Sequence, residues 1–386
     1  MTDDGRNLLV IGAPEHDAHA HHLSGFLAPD DVICLRINGK THLAVSSLEY
    51  GRAKKTAPAD VLLSYEELEI PKFSRELKSG SKGYAAAIRN LLDELGASEA
   101  PLSVPPTLAV AYADALRDRG LTLEPDGKLF DGFRRAKTPE EVARVEQAQR
   151  AVEEACEHAV GILREADVGD GGALVWRDEP LTSEVLRSEI NVELLRRDCL
   201  GDGTIAAGGP QAADPHERGS GPLKAGEAII LDIFPMDLTS RYYADMTRTF
   251  IKGEPGGELR RMYDAVLESQ EAALAMIGPG VAGKDVHEKV CQILHDAGYK
   301  TQLHDREEGK PLTEGFFHGT GHGVGLEIHE APRLGLAGEN LIPGDIVSVE
   351  PGLYYPEIGG VRIEDLILVT EDGSRNLTRF PKEFVV

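Results

Sequence analysis

Four apolar runs in the second half of the chain each carry an acidic residue within or at the end of a buried-type segment. Runs of this length, bounded by glycine and proline, predict buried β-strands. The runs are 228–234 with Asp232, 242–250 with Asp245, 345–354 with Glu350 and 360–369 with Glu364. A carboxylate inside a buried strand is costly unless it is paired or bound to a metal. The four runs are therefore expected to converge on one cation site.

A glycine-rich segment, 317–330, lies between the second and third of these runs and contains His318, His322 and His329. Glycine lets a backbone turn sharply or approach a ligand closely, and histidine supplies a neutral nitrogen ligand. The alternative interpretation is a loop whose histidines are simply solvated, because short motifs carry a real false-positive risk.

Two aspartates, two glutamates and one histidine form a ligand set that is rich in oxygen and contains no thiolate. Such a set suits Mn(II), Co(II), Fe(II) or Zn(II), and it disfavours a structural cysteine–zinc site. Four negative charges are too many for one catalytic metal that must keep open positions. They fit a pair of divalent cations about 3.5–4 Å apart.

From about residue 134 to its end, the sequence resembles the pita-bread metallopeptidases, which include Xaa-Pro dipeptidases (prolidases), Xaa-Pro aminopeptidases and methionine aminopeptidases. The segment from His318 to Glu330 matches the signature of prolidases and aminopeptidase P. The resemblance implies the α+β pita-bread fold of the creatinase/aminopeptidase type for a catalytic domain over residues 134–386. It implies a smaller α/β N-terminal domain over residues 1–133, and a homodimer.

The resemblance also implies a metal-binding role for five residues. Asp232 would chelate one metal, Asp245 and Glu364 would bridge both, and His322 and Glu350 would hold the second. Two divalent metal ions per subunit are expected, with Mn(II) in first place and Co(II) or Zn(II) as alternatives.

Asp232 and Asp245 lie two residues farther apart than in the usual pattern of the family. A hairpin lengthened by two residues keeps strand parity, so both side chains can still face one side. Asp237 is the rival for the first ligand, but it lies outside the apolar run and next to a predicted turn.

The reaction that the resemblance implies is hydrolysis of the bond between an N-terminal residue and proline in a short peptide. Glu350 would act as the proton shuttle, and His329 would stabilise the oxyanion. The residues expected to contact substrate are His216, His318, His329 and Arg362. A guanidinium suits a carboxylate terminus, which is the role expected of Arg362.

Three relatives of this fold provide alternative functions. A methionine-type or broader-specificity aminopeptidase would share the metal ligands and His329, but it usually lacks a first domain of this kind. A creatinase-like hydrolase has the same architecture without metals, and the complete ligand set opposes it. A non-enzymatic peptide-binding relative, like certain histone chaperones, loses ligands as it loses catalysis. The short first domain slightly favours a dipeptidase over aminopeptidase P.

Composition narrows the setting in which the protein works. A length of 386 residues favours two domains, and a net charge of −24 argues against nucleic acid as a partner. The sequence contains no apolar run of membrane-spanning length, and residues 1–6 lack the basic start of a secretory signal. Four isolated cysteines are expected to be free thiols in a reducing cytoplasm.

Local signals predict several elements. Thr138, Pro139 and Glu141 form a capping box that opens a long helix, and Asn38-Gly39 predicts a hairpin. The segment 167–180 is expected to be a polar loop. The histidines at positions 16, 19, 21 and 22 are interpreted as loop residues, because the surrounding spacing does not support a metal site.

Overall fold

The computed structural model describes residues 5–386, which divide into two compact units with the boundary between Arg134 and Arg135. The prediction that no signal sequence is present was drawn from residues 1–6, and the first four of these lie outside the described range. Within that range, no helix is both long and apolar enough to cross a membrane.

The first unit is built on a mixed sheet of six strands with the order β4-β3-β2-β1-β5-β6. Strands β1, β2 and β3 are antiparallel neighbours, and the outer pairings β3–β4, β1–β5 and β5–β6 are parallel. The strands are β1 (Asn7–Gly12), β2 (Val32–Ile37), β3 (Lys40–Val45), β4 (Val61–Ser64), β5 (Leu102–Val104) and β6 (Leu123–Pro125). The helices are α1 (Ala18–Ser24), α2 (Ser47–Thr56), α3 (Ile70–Glu76), α4 (Gly80–Glu94), α5 (Val110–Arg117) and α6 (Gly127–Arg135).

Alternation along the strands covers both faces of this sheet. In β1, Leu8 and Val10 belong to one apolar cluster, and Leu9 and Ile11 belong to another on the opposite face. The predicted hairpin is confirmed, because Ile37 pairs with Lys40 around a two-residue turn in which Asn38 and Gly39 both have positive φ.

The interpretation of the first histidine run as loop was wrong for three of its residues. His19, His21 and His22 lie on α1, a short helix that begins where the Asp17 carboxylate accepts a hydrogen bond of 2.8 Å from the Ala20 N–H. The aspartate acts as an N-cap for the helix. His19 is buried against the ring of Phe130, so the helix is held by packing.

The second unit contains four long helices and several small antiparallel sheets. Its helices are α7 (Pro139–Glu165), α8 (Ser183–Leu195), α9 (Gly257–Met276) and α10 (Gly283–Asp296), with 3₁₀ turns at Asp170–Gly172 and Gly209–Ala213. Its strands are β7 (Asp167–Val168), β8 (Leu174–Trp176), β9 (Glu179–Pro180), β10 (Cys199–Leu200), β11 (Ile205–Gly208), β12 (Ile229–Ile233), β13 (Met236–Asp237), β14 (Met246–Phe250), β15 (Gly321–Gly323), β16 (Glu330–Leu334), β17 (Ile346–Val349), β18 (Gly352–Tyr355), β19 (Gly359–Arg362), β20 (Asp365–Val369) and β21 (Ser374–Asn376).

Helix α7 begins as predicted. The Glu141 N–H donates to the Thr138 hydroxyl, and the Thr138 N–H donates to the Glu141 carboxylate at 2.8 Å. The prediction of a polar loop over 167–180 was wrong, because β7, β8 and β9 form a small sheet there. Arg177 and Asp178 take positive φ in its two-residue turn, and Leu174 and Trp176 turn inward.

Two sheets carry the acidic runs. One has the order β11-β12-β14, and the other has the order β16-β15-β17-β20-β21. Helices α9 and α10 contribute to the apolar core with the second sheet and the β18–β19 hairpin through residues such as Met262, Val266, Val290, Val347 and Val361. Removing this much apolar surface from water is the dominant stabilising term for such a layer.

Candidate metal centre

The antiparallel pair β12–β14 brings the two aspartates to one face. Asp232 lies opposite Thr247, and Asp245 precedes Thr247 by two residues, so the three side chains share a side of the sheet. The Thr247 hydroxyl lies 2.9 Å from Asp232 Oδ1 and 2.8 Å from Glu364 Oε2. A hydroxyl has one proton to donate, so it can satisfy only one of these two carboxylates.

The extra residues between the aspartates form a tight turn. The Ala244 N–H donates to Pro235 O, and the carboxylate of Asp237 accepts hydrogen bonds from the N–H groups of Thr239 and Ser240 at 3.1 and 2.6 Å. Asp237 is therefore committed to the turn, and Asp232 lines the cavity described below. This arrangement supports Asp232 over Asp237 as the first ligand.

The glycine-rich segment supplies His322 from β15, which lies between β16 and β17 in the five-stranded sheet. Its Nδ1 lies 3.2 Å from Gly323 O, so Nδ1 carries the proton and Nε2 presents a lone pair. That Nε2 lies 3.3 Å from Glu350 Oε1 and 3.7 Å from Asp245 Oδ2. A Cβ on Gly321 would overlap Ser348 O, which explains why glycine precedes the histidine.

Three side chains form the centre of the group. The ligand atoms of Asp245, His322 and Glu364 all lie within 4.8 Å of one another, and all three residues are buried. Glu364 Oε1 has no hydrogen-bond partner in the described residues, although the atom is fully buried. A buried carboxylate oxygen without a donor, facing a histidine lone pair and a second carboxylate, fits a bound cation.

The pKa values of the buried carboxylates also fit a bound cation. Burial, followed by repulsion from neighbouring carboxylates, holds the pKa values of Asp245 and Glu364 well above their usual range. Burial opposes ionisation of Glu350, but the neighbouring His322 ring and the positive charge of Arg362 outweigh burial and lower the pKa of this carboxylate. Without added positive charge, the cluster therefore favours protons on Asp245 and Glu364.

In the metal-free protein, we expect the contribution of Asp245 and Glu364 to folding stability to fall as the pH rises above about 4–5. Because the folded pKa values of Asp245 and Glu364 are raised, the folded state holds protons that the unfolded chain has released. This contribution is fully present below the unfolded pKa values and is lost as the pH rises through the folded ones. Thermal melts of chelated Glu364→Gln should show a shallower loss of Tm than wild type between about pH 5 and pH 8.

Glu371→Gln is the control for this measurement, because Glu371 is an exposed carboxylate outside the cluster. Its melting curve should run parallel to that of wild type. Parallel curves for Glu364→Gln and wild type would contradict the raised pKa of Glu364.

A cavity of about 650 Å³ opens over these residues. Its apolar wall is formed by Ile205, Phe234, Phe317, Ile328 and Leu334. Its polar lining includes the five predicted metal ligands and all four predicted substrate residues, which are His216, His318, His329 and Arg362. The structure therefore brings together every site residue that the sequence predicted, and their individual roles remain predictions.

Burial favours the neutral form of two histidines in this cavity, His318 and His329. The rings of His329 and His322 lie 4.4 Å apart, and burial, helped by the neighbouring His322 ring and the charge of Arg333, lowers the pKa of His329 to about 4. Burial also lowers the pKa of His318. His318 Nδ1 donates to Gly319 O at 2.7 Å, so its Nε2 accepts from the Tyr354 hydroxyl at 2.9 Å.

Arg362 is more deeply engaged than the sequence suggested. Its guanidinium donates to Asp232 Oδ2 at 2.6 Å, to the Tyr354 hydroxyl at 2.9 Å and to the Thr247 hydroxyl at 3.1 Å. The side chain is buried and its pKa is raised well above the usual range, because the neighbouring anions and Tyr354 outweigh burial. In this arrangement most of the N–H donors of Arg362 are engaged within the protein, and one of them holds the carboxylate of Asp232.

Two residues of the site were missed in the sequence. Tyr354 links Arg362 to His318, and its only sequence signal is its place four residues after Glu350 in a β-type run. Arg333 lines the cavity and is exposed, and in the described residues its guanidinium makes no ion pair or hydrogen bond. Its only signal is a cation four residues after His329.

Comparison with known proteins gives the family context. The model of metallopeptidase family M24 matches residues 143–371. The Xaa-Pro dipeptidase of Pyrococcus furiosus is 36% identical over 184 residues, which is 47% of this chain and 49% of that protein. An uncharacterized peptidase of Bacillus subtilis is 30% identical over 282 residues, 72% of this chain and 70% of its own. The alignment with the Pyrococcus furiosus enzyme thus spans about half of that protein.

Solved structures match over nearly the whole chain. An Xaa-Pro dipeptidase from Bacillus anthracis has a TM-score of 0.80 at 25% identity, covering 98% of this chain and 95% of that one. The prolidase from Pyrococcus horikoshii has a TM-score of 0.77 at 23% identity, covering 99% and 96%. These matches confirm the predicted α+β pita-bread fold with a smaller N-terminal unit.

Proposed function

Because this chain belongs to metallopeptidase family M24, we propose that it is a dinuclear metal-dependent exopeptidase that hydrolyses the bond between an N-terminal residue and proline. The observation that carries this proposal is the buried group of Asp245, His322 and Glu364 inside a cavity that also holds neutral His329. Xaa-Pro dipeptidases among the relatives support proline as the second residue.

We assign Asp232, Asp245, His322, Glu350 and Glu364 to the two metal ions, with Asp245 and Glu364 shared between them. The unpartnered oxygen of Glu364 and the lone pair of His322 Nε2 support this assignment. When bound, two divalent cations polarise a carbonyl and lower the pKa of water so that it becomes a nucleophile at neutral pH. The oxygen-rich ligand set favours Mn(II), with Co(II) or Zn(II) as substitutes.

Proton movement falls to Glu350 and oxyanion stabilisation to His329. Glu350 is ionised at neutral pH, since its surroundings lower its pKa, so it can accept a proton from water. A peptide bond before proline has a nitrogen without N–H, which must be protonated as it leaves. Neutral His329 keeps one N–H that can donate to the oxyanion of the tetrahedral intermediate.

We further propose that Arg333 binds the free carboxylate of a dipeptide substrate. Arg362 is engaged with Asp232 and Tyr354, whereas the Arg333 guanidinium is exposed and lines the cavity. A planar guanidinium matches a carboxylate in two parallel hydrogen bonds. This assignment favours the dipeptidase over the aminopeptidase P branch.

Replacing Arg333 with methionine should raise KM for an Xaa-Pro dipeptide by about 10-fold or more, because a charge-assisted hydrogen bond is worth about 1.5–3 kcal/mol. The effect on kcat should be small, since the Arg333 guanidinium makes no hydrogen bond or ion pair with the predicted metal ligands among the described residues. Steady-state kinetics on Ala-Pro and on its C-terminal amide would measure it. The amide should be a poor substrate of wild type and lose little further in the variant.

Arg306→Met is the matched control, because Arg306 is also exposed but lies outside the cavity. It should leave both kinetic constants unchanged. Equal KM values for the dipeptide in wild type and Arg333→Met would remove Arg333 from substrate binding.

Two properties complete the proposal. All four cysteines are buried free thiols, which supports a reducing cytoplasmic setting. A homodimer is the assembly proposed on the family pattern, and sedimentation of the purified protein would measure its mass.

A substrate panel tests the function as a whole. Metal-stripped protein, reloaded with Mn(II), Co(II) or Zn(II), is incubated with an Xaa-Pro dipeptide, an Xaa-Pro tripeptide and a Met-Ala peptide. Cleavage of the dipeptide above the tripeptide is expected, and chelation should abolish it. Cleavage of Met-Ala alone would identify a methionine-type aminopeptidase instead.

A further inference from the structure

A buried ion pair lies directly beside His329. Lys137, the residue before the N-cap of α7, contacts the carboxylate of Glu330, the first residue of β16. The two side chains are only 1% and 2% exposed. The pair joins positions 193 residues apart in the sequence, and neither residue lines the cavity.

The backbone at the lysine end of this pair is attached to the turn before β17. The Lys137 N–H donates to Gly344 O at 3.1 Å, in the turn before β17. Arg135, two residues earlier, binds the buried carboxylate of Asp345 at 3.0 and 2.6 Å. The entry to α7 is therefore fixed against the strand that leads to Glu350.

The glutamate end supports the loop that carries His329 into the cavity. A Cβ on Gly325 would overlap the Glu330 carboxylate, so residue 325 passes directly over it. The Gly325 N–H donates to Glu327 O, and its carbonyl accepts from the Tyr243 N–H at 2.8 Å. Ile328 and His329, at the end of this loop, line the cavity.

Stability alone is a weak reason to bury two charges. Desolvating a lysine and a glutamate costs several kcal/mol per ion, and apolar residues of the same size are often equally stable or better. In some proteins a buried polar pair is kept because it selects one arrangement of the chain, since each charge is stabilised only where its partner lies. The adjacent residue, whose Cα lies about 3.8 Å along the chain, shares that constraint.

We propose that Lys137 and Glu330 are positioning residues for His329. The ion pair anchors the base of the 325–329 loop, so that the imidazole is presented at a fixed place next to His322. The role in turnover rests on the proposed function, whereas the effect on ring position does not.

The structural test uses the double variant K137M/E330M, which removes both charges at nearly constant volume. It is expected to fold, because apolar residues of similar volume often replace a buried ion pair without loss of stability. In crystals of this variant, the His329 ring should be displaced by about 1 Å or more, or be disordered, relative to wild type. In wild type the His322 and His329 ring centroids are 4.4 Å apart. An unmoved, well-ordered His329 in the variant would overturn the proposal, whether or not the protein cleaves proline peptides.

The kinetic test is a double-mutant cycle with His329→Ala. K137M/E330M should lower kcat by about 10- to 100-fold, with KM and bound metal within about twofold of wild type. In the His329→Ala background the same two changes should cost less than about twofold, because the group that they position is already gone. Equal losses in both backgrounds would overturn the proposal.

Two controls separate positioning from stability. The single variant Lys137→Met leaves the Glu330 carboxylate buried without the lysine charge, so the Tm of this variant should fall. The double variant K137M/E330M should recover the Tm while kcat stays low. Leu163→Ala opens a cavity at the far end of α7, where Leu163 is fully buried, and should lower Tm without lowering kcat. Recovery of kcat together with Tm in the double variant would show a merely structural pair.

Discussion

Replacing His322 with alanine should reduce kcat by more than about 100-fold and lower the bound metal together with it. Loss of an outer partner of a metal ligand alone costs about 10–100-fold, so loss of a ligand itself should exceed that. The Nδ1 proton of His322 is held by Gly323 O, which leaves Nε2 facing Glu350 and Asp245. Within the described residues, His322 supplies the only nitrogen ligand atom in the group of Asp245, His322 and Glu364.

Metal analysis of dialysed protein and steady-state kinetics on the same samples would measure both effects. His158→Ala is the control, because His158 is a partly exposed histidine of α7 that pairs with Glu189 of α8. Asp237→Asn should also keep its metal, since Asp237 caps a turn. Full metal content in His322→Ala, or loss of metal in Asp237→Asn, would show that the ligand set is wrong.

Replacing His329 with alanine should lower kcat by about 10²–10³-fold while the metal content stays at the wild-type level. The imidazole of His329 lies beside His322, but it does not belong to the group formed by the ligand atoms of Asp245, His322 and Glu364. Its pKa of about 4 keeps it neutral in the metal-free protein, so it can donate one N–H where negative charge develops. The loss should fall on kcat more than on KM, because the oxyanion exists only in the transition state.

His329→Gln tests the same role more finely, since glutamine retains an N–H donor. It should recover part of the activity that alanine loses. If His329→Ala instead loses metal in step with activity, the residue acts as a ligand and its role as oxyanion donor is contradicted.

The sequence was informative where local rules decide the outcome. The capping box at Thr138 and the Asn38-Gly39 hairpin depend on neighbouring residues alone, and both appear as predicted. Carboxylates within apolar segments are also informative in the sequence, because a buried carboxylate is unfavourable unless a partner compensates its charge. That reasoning led to Asp232, Asp245, Glu350 and Glu364, which all line one cavity.

The sequence was less informative where the role of a side chain depends on contacts between distant segments. Whether Arg362 meets a substrate or Asp232 depends on a partner 130 residues away. The pairing of Lys137 with Glu330 is equally distant, and neither residue type predicts it. The small sheet at 167–180 was missed because its strands are only two or three residues long, which is too short for a periodic pattern.

Without metal, the carboxylates of the cluster have too few hydrogen-bond donors and repel one another. Thr247 can donate to only one of Asp232 and Glu364, and Glu364 Oε1 has no donor within the described chain. Divalent cations would relieve the repulsion that raises the pKa values of Asp245 and Glu364. Metal binding should therefore raise Tm most at neutral and higher pH.

Anomalous diffraction from crystals reconstituted with Mn(II) tests the central claim most directly. Two peaks about 3.5–4 Å apart are predicted, both in contact with Asp245 and Glu364, with His322 bound to one of them. Peaks that lie away from these side chains, or no peaks at saturating Mn(II), would contradict a two-metal centre in this cavity.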